Sequence, residues 1–319
     1  MTKRVQYDNH GTTDELEVVD VESPTVGPGQ VSVQVRFAGL NPVDLAILSG
    51  SFGSGSGTRG LGMDFSGVVA EVGDGVEDFS PGDLVFGGVP NQSEADYVLV
   101  KDPAKHLNKI PKGLGTDVAG GLNVAGSTAV AGIRAIAPQA GETIFVSGAS
   151  GGVGIIAAQL ALGLGARVIG TTSPGNVQLL DGLGIDAVEY GPELEERLRE
   201  AAPDGIQAAY STRGEDEIEM LLGLGVPAAR INSIAAGPQV ADKYGVHTDG
   251  QAKARRDDLP WLAMAIAYGH VVVPIGGVFD LDDVRAAYGF LTGGHPVGKV
   301  LLRMEPKPFT AEQTDYLTQ

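Results

Sequence analysis

Ala149, Gly151 and Gly154 stand in a G/A-x-G-x-x-G spacing inside the run TIFVSGASGGVGIIAAQLALGLG, residues 143–165. Small residues at those three places share one chemistry: they let the backbone close around a pyrophosphate. The first makes a tight turn, the second brings backbone to the phosphates, and the third lets helix and strand approach each other. Residues 143–147 form a short apolar, β-branched run suited to an inner parallel strand. A helix is expected over about 152–164, its unpaired N–H groups aimed at an anion. In a chain with 48 glycines the spacing alone carries little weight. The strand before it and the apolar helix after it separate a nucleotide site from a glycine-rich turn with no ligand.

The strand expected over 167–171 runs into Thr171, Thr172 and Ser173. In an NAD site an acid about 20 residues past the glycines accepts from the ribose hydroxyl; no acid stands here. Hydroxyl donors without negative charge favour a 2′-phosphate, although Pro174, Gly175 and Asn176 bring no Arg or Lys. NADPH is therefore the expected cofactor, ahead of NADH. Tyr190, at the end of the next strand, either borders the adenosine or packs as a sheet-end aromatic.

Such residues need a parallel sheet to position them. From about residue 120, helix and strand alternate: helices over 127–137, 193–201, 215–224 and 257–268, and strands over 186–189, 206–210 and 230–235. Ser173 reads as an N-cap with Pro174 at the first helical position. The alternation implies an α/β fold with a doubly wound parallel sheet. The earlier residues differ. Strands over 31–38, 67–72, 83–87 and 95–100, separated by Gly/Pro turns, point to an antiparallel, barrel-like domain. Residues 51–60, SFGSGSGTRG, are a Gly/Ser loop, either a mobile flap or a plain surface excursion. Strand and short-helix character returns over 271–303, a tail expected to rejoin the first domain. The expected partition is 1–119, 120–262 and 263–319.

A length of 319 residues with 43% hydrophobic content agrees with two domains and a full core. The net charge of −18 argues against nucleic acid or an anionic membrane as partner. No apolar run approaches the ~20 residues of a membrane span. The opening MTKRVQYDNHG has no apolar signal core, so the expected location is the cytoplasm. The absence of cysteine excludes disulfides, thiolate catalysis and cysteine-ligated metal sites. His10, His106, His247, His270 and His295 show no ligand spacing with one another.

Several motifs in order resemble the medium-chain dehydrogenase/reductase superfamily, and within it the zinc-free quinone oxidoreductase branch. They are GLNPVDLAILSG (39–50), LGMDFSGVVAEVG (61–73), FSPGDLVFG (79–87), VAGSTAVAGI (124–133), the glycine turn, and GKVLL (298–302). The resemblance covers nearly the whole chain. It implies a GroES-like β-barrel catalytic domain built from both chain ends, a Rossmann-type NADPH-binding domain between them, and a homodimer. Positions that hold the catalytic zinc in zinc-dependent relatives match Asn41, Met63 and Asp64, a set too poor to make a zinc site. Without a Lewis acid, the implied chemistry is hydride transfer to a small molecule that is already electrophilic, a quinone or an α,β-unsaturated carbonyl. The alternatives are a metal-free carbonyl or alcohol oxidoreductase, a non-catalytic NADPH-binding module, and a tailoring reductase of a biosynthetic cluster.

The resemblance places Asn41 and Asp44, of the NPVD turn, beside the nicotinamide ribose and the substrate. The Asn41 amide can donate or accept toward the carboxamide or ribose. Asp44 either bonds a ribose hydroxyl or caps the helix that follows Pro42. Thr128 matches a position near the nicotinamide, or caps a helix N-terminus. Ser150, Gly151, Gly152 and Val153 are expected to present backbone N–H groups to the pyrophosphate. Ile234 and Ala235 are expected to end a strand at the carboxyl edge of the sheet, where the nicotinamide belongs. Many relatives carry Tyr and Arg where this chain has Ala46 and Leu48, so a tyrosine proton donor is missing and a hydrophobic pocket without a dedicated general acid is expected. Lys299 is similar to a recurring family lysine, with a structural role at the domain junction expected for it.

Overall fold

The computed structural model describes residues 1–53, 57–294 and 296–304. Residues 54–56 of the Gly/Ser loop and His295 therefore lie outside the described residues. The chain divides into two compact units. The first comprises Met1–Val124, Leu259–Tyr268 and the described residues from Pro274 on; the second comprises Ala125–Asp258 and Gly269–Val273.

The first unit opens with β1 (Thr2–Tyr7), paired antiparallel with β2 (Glu17–Val21). β3 (Val31–Gly39) follows, then a short helix, Pro42–Leu48. β4 (Arg59–Gly60) pairs with β1, and β5 (Asp64–Val72) pairs antiparallel along β3. β6 (Leu84–Gly87), β7 (Tyr97–Val100) and β8 (Leu107–Lys109) complete this part. The alternation VSVQV in β3 buries Val31, Val33 and Val35 against Phe65, Val85 and Leu107, which makes this strand the spine of the unit.

The second unit is a five-stranded sheet in which every pair is parallel: β9 (Thr143–Val146), β10 (Arg167–Thr172), β11 (Asp186–Glu189), β12 (Ala208–Ser211) and β13 (Ile231–Ser233). The spatial order is β11-β10-β9-β12-β13. The chain runs outward from β9 to β11 and then crosses to lay β12 on the other side of β9. That places the topological switch point between β9 and β12, where doubly wound sheets bind ligands at their carboxyl ends. The helix Gly154–Gly163 is apolar except for Gln159 and buried from Gly154 to Ala161.

Some boundaries differ from the sequence reading. The strand expected over 230–235 stops at Ser233, because its partner β12 stops at Ser211 and the ladder has nothing further to pair with. Ile234 and Ala235 thus lie past the strand, although Ile234 N–H still donates to Ser211 O at 3.1 Å. The helix expected from residue 127 begins at Leu122. Gly126, Ser127 and Thr128 read as a helix start, but Ser127 and Thr128 are buried and packing overrides their weak propensity. Thr128 therefore lies inside the helix, which removes the N-terminal capping role. Val271–Val273, expected as strand, belongs to the second unit without forming one; Val272 is held through both backbone groups by the Gln159 side chain.

The chain then completes the first unit with β14 (Ile275–Asp280), the helix Val284–Gly293 and β15 (Lys299–Arg303). β15 pairs antiparallel with the second half of β3, Phe37–Gly39, while β7 takes the first half, Val31–Gln34. The result is a seven-stranded sheet in the order β14-β15-β3-β5-β6-β8, with β7 on β3.

Candidate functional site

The glycine turn in the second unit is held by its neighbours before any ligand arrives. Gly148, with φ +59, makes the left-handed step, so the tight turn falls one residue earlier than the fingerprint position Ala149. Ala149 is fully buried and donates its N–H to Thr171 O at 2.8 Å. Gly148 N–H donates to Thr171 Oγ1 at 2.9 Å. Gly151 N–H closes the turn on Gly148 O at 2.9 Å. A Cβ on Gly154 would lie 2.2 Å from Gly148 O, so the third fingerprint glycine is required by the turn itself. A Cβ on Gly151 would meet only Gly148 O, at 3.3 Å, which leaves that face of the turn free of side chains.

The end of β10 ties into the same turn. Thr172 Oγ1 donates to Ser150 Oγ at 2.8 Å, and Asn176 Nδ2 donates to it at 3.3 Å. Ser173 occupies the N-cap position of the short turn Pro174–Asn176 in extended geometry, without a side-chain capping bond. Tyr190 N–H reaches Thr172 O at 3.3 Å, and its side chain borders a groove of about 720 Å³ beside the outer strand β11, with Glu189, Pro192 and Arg197. Thr128 is buried, and its carbonyl accepts from the Tyr210 hydroxyl at 3.1 Å. Thus Ala149–Val153, Thr172 and Ser173 are brought together. Tyr190 follows β11, Ile234 and Ala235 follow β13, and Thr128 sits in the helix Leu122–Ile136. Thr171, read in sequence as a hydroxyl donor toward a 2′-phosphate, and Asn176, read as bringing no charge, emerge as supports of the turn.

Asn41 and Asp44 belong to the first unit. Asn41 precedes the helix Pro42–Leu48, and its N–H donates to Asp44 Oδ2 at 2.8 Å, the return half of a capping box. The capping alternative for Asp44 is therefore present in the structure. The Asn41 side chain is fully engaged as a donor: Nδ2 reaches Gly39 O at 3.2 Å and Asp64 Oδ2 at 3.1 Å. Lys299 Nζ, from β15, donates to Asn41 Oδ1 at 2.6 Å and Leu40 O at 2.9 Å, and lies 3.5 Å from Asp64 Oδ2. Asp64 Oδ1 accepts from Val124 N–H at 2.8 Å. Burial raises the Asp64 carboxyl, against the pull of Lys299 and Asn41.

Behind Asp44 lies a second buried group. The Tyr288 hydroxyl donates to Glu94 Oε1, and the charge of Asp44 bears on both groups. Asp44 Oδ1 and Glu94 Oε2 have no hydrogen-bond partner among the described residues. Burial, and then the charge of Asp64, push the Asp44 carboxyl up to about 7; burial also holds Glu94 well above its ordinary range. Nothing in the local spacing of Asp44, Glu94 and Tyr288 announced this grouping, because the helix Pro42–Leu48, a loop and the helix Val284–Gly293 supply one residue each.

Residues 27–123 match the alcohol dehydrogenase GroES-like domain family. The chain is 30% identical to the acryloyl-coenzyme A reductase of Metallosphaera sedula, over 90% of this chain and 96% of that protein. It is 32% identical to the quinone oxidoreductase of Pseudomonas aeruginosa, over 95% of this chain and 99% of that one. Among solved structures, a mycobacterial protein complexed with NADPH superposes with a TM-score of 0.82 at 25% identity, covering 95% of this chain and 100% of the other. The chain belongs to the medium-chain dehydrogenase/reductase superfamily, in its quinone oxidoreductase branch. Its fold class is accordingly α/β, a Rossmann-type parallel sheet together with a GroES-like domain.

Proposed function

We propose that this protein is an NADPH-dependent, zinc-independent reductase of quinones or α,β-unsaturated carbonyls, working as a homodimer with a cofactor domain set between two parts of a catalytic domain. The observation that carries the reading is the glycine turn at the switch point, pre-braced by Thr171 and open on its Gly151 face. That cradle fits a dinucleotide. Bound there, NADPH supplies a hydride to an electrophilic carbon.

The chain's own residues bind and orient. Ser150, Gly152 and Val153 offer N–H groups to the pyrophosphate, Gly151 having spent its own on Gly148. Thr172 and Ser173 face the adenosine ribose and Tyr190 borders it. Thr128, Ile234 and Ala235 serve the nicotinamide end. Asn41 Oδ1 keeps one lone pair beyond the bond from Lys299, and Asp44 sets the Asn41 backbone through the capping bond. The donor set does not suit zinc: the Lys299 ammonium already occupies Asn41 Oδ1 and lies beside Asp64, and Met63 is a poor ligand. Two relatives are named for reduction of acryloyl-coenzyme A and of quinones, both activated acceptors.

The test is oxidation of NADPH, with NADH as control, against quinones, enals, enones and simple alcohols, each with and without a chelator. The expected result is NADPH consumption with a quinone or enone, unchanged by chelator. Bound cofactor without consumption by any acceptor would instead establish a binding module.

A further inference from the structure

The segments that follow the five parallel strands are GASGGVG (148–154), TSPGN (172–176), YGPE (190–193), TRG (212–214) and IAAG (234–237). Together they contain one cation, Arg213. A dinucleotide carries at least two negative charges, and the chain as a whole carries −18, so its long-range field repels such a ligand. A local cation is needed, and the positions after β10 supply none.

Arg213 sits two residues past β12, on the side of the switch point facing the glycine turn. The loop that bears it is pinned there. Thr212 N–H donates to Ser147 Oγ at 2.8 Å, and Thr212 Oγ1 lies 2.9 Å from where a Cβ on Gly148 would stand. Arg213 O accepts from Ser211 Oγ at 3.1 Å and from Ser233 Oγ at 2.7 Å. The side chain is exposed, and its guanidinium makes no hydrogen bond or ion pair among the described residues. Glu217 feels its charge, but that carboxyl is buried, bonded to Ser211 Oγ, and held toward its neutral form by burial. Glu215, nearby on the same helix, is taken by Lys243 and Tyr244. Arg197, at the outer strand, is committed to Glu189 O.

We propose that Arg213 binds a phosphate of the dinucleotide, supplying from the loop after β12 the positive charge that related sites take from a residue after the second strand. The inference rests on the nucleotide reading of the glycine turn. A guanidinium suits the role because its planar donor fork matches phosphate oxygens.

The experiment is calorimetric titration of the full chain and of Arg213→Gln and Arg213→Lys with NADPH and with NADH, at low and high salt. Melting curves without cofactor serve as the folding control. Arg213→Gln is expected to weaken NADPH binding roughly tenfold or more, with partial recovery in Arg213→Lys and an unchanged melting temperature. Loss confined to NADPH assigns the 2′-phosphate, whereas equal loss for both dinucleotides assigns the pyrophosphate. Wild-type affinity for both in Arg213→Gln would overturn the inference and leave the nucleotide site intact. Failure of the wild type to bind either dinucleotide would overturn the site reading itself.

Discussion

Lys299 fixes the orientation of the Asn41 amide. Its Nζ donates to Asn41 Oδ1 at 2.6 Å, across 258 residues of sequence, where each residue is only 3% exposed. With the oxygen held on the ammonium, Nδ2 must face Gly39 O and Asp64 Oδ2. The head of the NPVD turn is thus set by a residue of the final strand.

Replacing Lys299 with Met should be strongly destabilising. It removes the cation beside a buried Asp64 and leaves Asn41 Oδ1 and Leu40 O without their donor. Breaking a buried pair from one side costs roughly 3–5 kcal/mol. Denaturant unfolding of wild type and Lys299→Met checks this; a loss under about 1 kcal/mol would show that the ammonium is dispensable.

Gly154→Ala and Gly163→Ala should differ sharply although they share one helix. The first places a methyl 2.2 Å from Gly148 O, whereas the second meets nothing within 4 Å. Gly154→Ala is expected to distort the turn and abolish dinucleotide binding. Gly163→Ala should bind normally and gain up to about 1 kcal/mol from helix propensity. Parallel melting and titration of the two variants gives the comparison, and equal binding in both would remove the close-packing role of Gly154.

Asp44 should make stability depend on pH in a known direction. Its carboxyl is raised from 3.8 to about 7 in the folded protein, so the folded state holds a proton that the unfolded state gives up. The stabilising contribution is therefore complete below the unfolded value and is lost as pH rises through about 7. Asp44→Asn keeps an oxygen for the Asn41 N–H and removes the titration. Relative to wild type, the variant should gain stability as pH rises from about 4 to about 7, the two ends of the shift, and level off above that. A pH-independent difference in denaturation midpoints would place the titration at Asp64 or Glu94 instead.

The cofactor half was legible because its signals are local. The run from Thr143 to Gly163 carries strand, turn and helix in consecutive residues, and the resulting element bounds differ from expectation by a residue or two. The strand over 186–189 matches β11 at both ends. Where packing outweighs local preference the reading slipped, as at Ser127 and Thr128 inside a helix and at Ile234 beyond the reach of β12. β1 and β2 escaped notice because TKRVQY is strongly polar and EVVDV is short, and pairing with each other gives them their form. The turn residue Gly148 was hidden by its neighbour Ala149, since the fingerprint marks small residues and does not say which takes positive φ. The seat of Lys299 could not be read at all, because it joins residues 40, 41, 64 and 299 through tertiary structure alone.

The most direct test of the proposed chemistry follows the transferred atom. The protein is incubated with NADPH deuterated at the nicotinamide 4-position, each epimer in turn, and an α,β-unsaturated carbonyl acceptor; the reduced product is analysed by mass spectrometry. Hydride transfer should place one deuterium on the β-carbon of the product with one epimer and none with the other. Reduced product lacking deuterium from both epimers, or no reduced product from any activated acceptor while NADPH is bound, would contradict it.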